Sequence, residues 1–182
     1  MSNGNVARAL VATLSLSAVG LTGIVAWEGY TNEAIRPVKG DVPTYGFGST
    51  VKADGAPVSM GDRITPPAAL ALAARDIAIK EGALKTCMGD VPLSQNEYDA
   101  IVSLAYNVGP AAVCKSSLPG KFRAGDNKAG CKTILDFKKV QGRDCSLPEN
   151  KRFCGGVWTR RQAEYRLCVS EDREQRTEDS SS

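Results

Sequence analysis

Between Arg8 and Glu28 the chain carries 19 residues without a formal charge, ALVATLSLSAVGLTGIVAW. As an α-helix this run would extend about 28 Å, close to the ~30 Å hydrocarbon core of a bilayer. Thr13, Ser15, Ser17, Gly20, Thr22 and Gly23 dilute it, so its transfer energy is weak for a permanent anchor. Three readings compete. A cleaved signal peptide would need Ala18-Val19-Gly20 or Ser15-Leu16-Ser17 as its site, and either cuts the apolar run in half. A soluble core helix lacks any charged position to mark a solvent face. An uncleaved, marginal signal anchor uses the whole run, with Arg8 and the amino terminus on the cytoplasmic side. The expectation is therefore an anchor segment over 1–27, inserted N-in and C-out, with the rest of the chain outside the cytoplasm.

The cysteines agree with that compartment. There are six, at 87, 114, 131, 145, 154 and 168, and no two form a C-x-x-C pair, which favours disulfides over zinc or thioredoxin-like chemistry. Cys145 and Cys154 flank one loop and are expected to pair locally, while the other four still allow three connectivities. The chain has no histidine, which removes Ser-His and Cys-His nucleophile pairs and every imidazole-dependent metal site. No metal or organic cofactor is expected. With 23 Lys and Arg against 20 Asp and Glu, and no basic stripe, the balance does not suggest a nucleic-acid partner. A length of 182 residues suits one domain.

Turn and helix signals order the remainder. Pro37, Gly40, Pro43, Gly46 and Gly48 forbid a long helix after the apolar run, and alternating Tyr45 and Phe47 with the Ala53-Asp54-Gly55 turn predict a small β-hairpin region. Thr65-Pro66 opens an alanine-rich helix expected to end near Cys87. Ser94 and Glu97 form a capping box for a helix stopped by Gly109. Shorter helical stretches are expected from Ala111 to Phe122 and from Asp126 to about Lys139, then a loop from Gln141 to Gly156 and a last helix ending at Cys168. The polar tail, 170–182, is expected to be disordered. The fold class is α+β and mainly helical, with one small sheet next to the start of the soluble body, which runs over 28–169.

Two carboxylates stand where chemistry is conceivable. Glu28 follows Trp27 and precedes Gly29, and a carboxyl among apolar neighbours suits a general acid, which must hold its proton at neutral pH. Asp41 lies with Thr44 in a segment stiffened by Gly40 and Pro43. In an inverting glycosidase one carboxyl protonates the leaving oxygen and a second group activates water on the opposite face of the sugar. On position alone, Glu28 is equally the first polar residue after a membrane run, Asp41 a turn former and Thr44 an ordinary strand residue.

The strings WEGY, PTYGFG and SLAYNVG, followed by the Arg pair of WTRRQAEYRLC, together resemble the phage-type lysozymes, the muramidase endolysins of tailed phages. The resemblance covers Trp27 to Cys168 in the family's order. Behind a weak anchor it is similar to the subgroup of signal-anchor-release endolysins. It implies a lysozyme-like fold and hydrolysis of the β-1,4 bond between N-acetylmuramic acid and N-acetylglucosamine in peptidoglycan, leading to host cell lysis. Glu28 matches the family's general acid through the Glu-Gly pair, and Thr44 matches the threonine that holds the attacking water. The family's second carboxylate would fall nine residues after Glu28, where this chain has Pro37, and Thr44 comes one residue late. Asp41 is assigned that role in its place, with Glu33 a poorer candidate. Asn107 and Gly109 match a stretch that lines the groove and joins helices, which leaves substrate contact and helix capping both open, and Arg160 and Arg161 are expected to make internal ion pairs or caps.

The resemblance further implies a monomer that is tethered to the inner membrane and then released to the periplasm. No cysteine precedes Cys87, so control by a thiol exchange within the anchor is not expected. Two rival functions follow from the missing aspartate: a lytic transglycosylase relying on Glu28 alone, and an inactive murein-binding protein.

Overall fold

The computed structural model describes residues 7–37 and 40–171. The disorder expected of the polar tail therefore falls almost wholly outside the described residues. The chain divides into two compact units, one of residues 21–79 and one of residues 1–20 with 80–182.

The smaller unit is built around a hairpin. Strand β2 (Thr31–Ile35) pairs antiparallel with β3 (Thr44–Gly46), Thr31 opposite Gly46 and Ile35 opposite Thr44, with an irregularity between those two pairs. Ala34 N–H donates to the Asp62 carbonyl and Ile64 N–H to the Asn32 carbonyl, so the 62–64 segment extends the sheet. The sheet's buried face carries Ala34, Tyr45, Val58 and Leu72, with Ile64 packed against them. Leu72 comes from α2 (Pro66–Met88), which opens at Thr65-Pro66 as the sequence implies and ends one residue past Cys87. Gly46 is required at the contact with this helix. Its φ is +62°, and a Cβ there would stand 2.9 Å from the Ala69 Cβ.

The larger unit is helical. Helix α3 (Gln95–Val108) begins at the expected capping box: Ser94 Oγ accepts from the Glu97 N–H, and Glu97 Oε2 accepts from the Ser94 N–H. It ends at Gly109, whose φ of +86° suits glycine. Helices α4 (Pro110–Lys115), α5 (Leu118–Arg123) and α6 (Asn127–Lys132) follow, and α7 (Lys151–Cys168) packs along α3. Ile101, Val102, Leu104, Val113, Leu118, Phe122 and Ile134 are buried. The disulfides are Cys87–Cys114, Cys131–Cys168 and the expected Cys145–Cys154, so all six cysteines are paired.

Two stretches depart from the sequence reading. The helix expected to reach Lys139 stops at Lys132 and tightens into a 3-10 turn over Thr133–Asp136. The chain then forms a short hairpin of β5 (Lys139–Val140) and β6 (Arg143–Asp144), closed by Gln141 at φ +48° and Gly142 at φ +79°. Two successive residues with positive φ make the tight turn that suits the twist of a hairpin. The expected loop to Gly156 is likewise shorter, because α7 already starts at Lys151 and continues through a kink at Cys154.

The uncharged run is also divided. Only Ala18–Glu28 forms helix α1, about 16 Å long, and no helix among the described residues is long and apolar enough to cross a membrane. Ahead of it, Ala9–Leu10 forms strand β1, paired antiparallel with β4 (Pro92–Leu93), and Val11–Thr13 forms a 3-10 turn. Ser17 caps α1, its Oγ accepting from the Gly20 N–H at 3.0 Å.

Candidate active site

Glu28 is the last residue of α1. Gly29 follows with φ +70° and donates its N–H to the Val25 carbonyl, which ends the helix and turns the chain into β2. A carboxylate in this position is carried on a rigid element and projects from its end.

The turn after β3 approaches it. Tyr45 and Ser49 exchange backbone hydrogen bonds at 3.1 and 3.2 Å, forcing Gly46, Phe47 and Gly48 into a tight loop. Gly48 has φ +86°, and a Cβ built on it would lie 3.6 Å from Glu28 Oε2. The loop thus presents bare backbone beside the carboxylate. Phe47 packs tilted against Tyr30, with ring centroids 5.6 Å apart and 52° between the planes, and the Tyr30 hydroxyl donates to the Ile64 carbonyl.

A polar brace holds the loop from behind. Buried Ser49 donates its Oγ–H to Asp76 Oδ2 at 2.9 Å. Arg75 pairs with Asp76 at 3.2 Å and donates to the carbonyls of Val51 and Lys52, tying α2 to the chain that leaves the loop. Neither the brace nor the role of Gly48 was read from the sequence. The GFGS string holds the available signal, since two glycines spaced around an aromatic imply backbone that must approach something closely.

The other proposed residues lie in the same hairpin. Thr44 is the first residue of β3, half-buried and opposite Ile35. Asp41 is exposed in the connection between β2 and β3, just after Gly40 at φ +96°, and its carboxylate takes no hydrogen bond from the described residues. Glu33 points to a different use, facing Arg63 at 4.0 Å in an exposed pair. Tyr45 belongs to the core, whereas Phe47 is half-buried. Among the described residues no three His, Cys, Asp or Glu side chains gather as a metal site would require.

In the larger unit, Arg160 and Arg161 form the expected internal ion pairs, both with Glu164, at 3.1 and 2.9 Å. Glu164 Oε1 also accepts from Ser103 Oγ, and Arg161 Nη2 donates to Asn107 Oδ1 at 3.1 Å. Burial pushes the Glu164 carboxyl above its ordinary value, against the opposing pull of Arg161, Ser103 and Arg160.

The profile of one family, phage lysozyme, matches residues 25–164, which include Glu28, the β2–β3 hairpin and the Arg pair. The chain belongs to the phage lysozyme family. It is 32% identical over 140 residues to the endolysin of Salmonella phage P22, covering 76% of this chain and 94% of that one. It is 35% identical over 159 residues to the endolysin of Acyrthosiphon pisum secondary endosymbiont phage 1, covering 86% and 99%. Among solved structures it matches the endolysin from Escherichia coli O157:H7 phage FAHEc1 with a TM-score of 0.74 and 29% identity, over 87% of this chain and 96% of that one. As a phage lysozyme the chain is a peptidoglycan-degrading enzyme with a lysozyme-like fold.

Proposed function

We propose that this phage lysozyme is an endolysin that hydrolyses the β-1,4 bond between N-acetylmuramic acid and N-acetylglucosamine, with Glu28 as general acid and with Asp41 and Thr44 holding the water. The observation that carries the reading is the approach of the Gly48 backbone to Glu28 Oε2 at the rigid end of α1. In the reaction Glu28 gives its proton to the glycosidic oxygen as the bond to the anomeric carbon breaks. The water oxygen bonds to that carbon, its proton passes to Asp41, and the cycle closes when Asp41 releases that proton to solvent and Glu28 takes one up. Thr44 accepts a hydrogen bond from the water and fixes its direction.

Residues 1–27 serve as a weak signal anchor in the host inner membrane, from which the monomer is released to the periplasm to degrade the wall and lyse the host. The uncharged run from Ala9 to Trp27 and the three disulfides support that route.

The test is mass spectrometry of the soluble products when purified protein digests isolated murein, beside Glu28→Gln. Reducing-end muropeptides made only by the wild type are expected. Anhydro ends would reassign the enzyme as a transglycosylase and remove Asp41 from the mechanism. Murein binding without any Glu28-dependent product would leave an inactive binding protein.

A further inference from the structure

In the folded body, residues 8–17 are held by three carboxylates of the larger unit. Arg8 donates from Nη2 to Glu97 Oε1 at 3.1 Å and from Nε to Glu97 Oε2 at 3.3 Å. The Glu97 side chain is 2% exposed and also accepts from the Ser94 N–H and from Asn127 Nδ2. Leu16 N–H donates to Glu81 Oε1 at 2.8 Å, and the same oxygen accepts from the Tyr98 hydroxyl. Ser17 donates both its N–H and its hydroxyl to Asp99, which Gln95 also engages while its amide reaches the Ser15 carbonyl. Between these points, Val11 is fully buried and its N–H donates to the Val91 carbonyl at 2.9 Å.

This arrangement and a membrane-spanning helix exclude each other. In a bilayer the N–H groups of Val11, Leu16 and Ser17 would be satisfied within the helix and Arg8 would lie on the far side. Here the amides of Leu16 and Ser17 go to carboxylates, which make stronger hydrogen bonds than neutral carbonyls. With the segment withdrawn, buried Glu97 loses the cation that compensates it, a costly state.

We propose that Glu97, Asp99 and Glu81 form an acidic receptor that captures residues 8–17 once they leave the bilayer, with the Arg8–Glu97 pair as the latch that keeps the released enzyme from returning to the membrane. The proposal rests on the reading of 1–27 as an anchor, and it gives Arg8 two roles in succession: flanking charge of the inserted segment, then counter-ion of a buried carboxylate.

The test uses the full chain purified in soluble form, with Glu97→Gln and Asp99→Asn. Both variants leave the anchor sequence intact, and Gln at 97 keeps the capping box. Tryptic cleavage after Arg8 is followed by mass spectrometry, and binding to phosphatidylethanolamine–phosphatidylglycerol vesicles by flotation. Wild type is expected to resist cleavage at Arg8 and to stay off the vesicles. Glu97→Gln is expected to be cut about tenfold faster or more, as loss of a charged hydrogen bond implies, and to float with the vesicles. Wild-type cleavage rates in both variants, or rapid cleavage of the wild type at Arg8, would overturn the latch. Protection at Arg8 with no vesicle binding by any variant would overturn the proposed barrier to return. Product analysis on murein is separate: Glu28→Gln tests the muramidase chemistry and is expected to leave protection at Arg8 unchanged.

Discussion

Glu28 sits at the last position of α1 with the Gly48 backbone against it, and its proposed role as general acid is tested at that one side chain. Glu28→Gln keeps the size of the side chain and removes the proton. Murein hydrolysis is expected to fall about 10²–10⁴-fold, as loss of a general acid implies. Asp41→Asn is the companion measurement. A fall of similar size assigns Asp41 the water, and full activity removes it from the mechanism. The same scale exposes a purely structural carboxylate. Glu164 neutralises Arg160 and Arg161, side chains 7% and 0% exposed. Glu164→Ala takes the carboxylate away from the fully buried Arg161 guanidinium, and urea denaturation is expected to show a loss of about 3–5 kcal/mol.

At the scale of elements, the β2–β3 hairpin docks on α2 only because position 46 has no side chain. Gly46→Ala adds a methyl group 2.9 Å from the Ala69 Cβ at a φ of +62°, and a loss of about 1–3 kcal/mol is expected by denaturation. The signals that survived from sequence to structure are those with a local physical cause: the Ser94–Glu97 box, the Thr65-Pro66 start, the Gly109 stop and the Cys145–Cys154 pair. Misread elements were decided by partners distant in sequence. Ala9–Leu10 left the apolar run to pair with β4, and Asp99 and Glu81 hold Leu16 and Ser17 out of α1. For the candidate site, Glu28 and Thr44 were singled out through a family string, and the structure places them at the end of α1 and the start of β3. Gly48's approach and the Ser49–Asp76–Arg75 brace were not legible, because each depends on packing between segments. The β5–β6 hairpin adds a pH-dependent element. Hydrogen bonds from Ser146 and Lys138 hold Asp144 at about 2. A carboxyl depressed in the folded state stabilises above its unfolded value of 3.8 and loses that contribution as pH falls toward 2. Asp144→Asn is expected to flatten the melting temperature across that window, and an unchanged slope would remove the hairpin from the acid response.

For the whole molecule, covalent reinforcement is uneven. All six cysteines belong to the larger compact unit, whereas residues 21–79 depend on the apolar cluster of Ala34, Tyr45, Val58 and Leu72. The bridges close separations of 27, 37 and 9 residues. In the chain-entropy account each of the two longer loops contributes about 3–4 kcal/mol, and the short one less. Because no cysteine is free, a thiol reagent has no target until a bridge is reduced. Activity on isolated murein is therefore expected to survive iodoacetamide under oxidising conditions. Dithiothreitol is expected to lower the melting temperature by tens of degrees, since a loss of several kcal/mol is comparable with the total stability of a domain of this size. Loss of activity on alkylation alone would reveal a thiol exposed by exchange, and would make regulation partly redox. Survival would show that activity needs no free thiol, as three closed bridges imply.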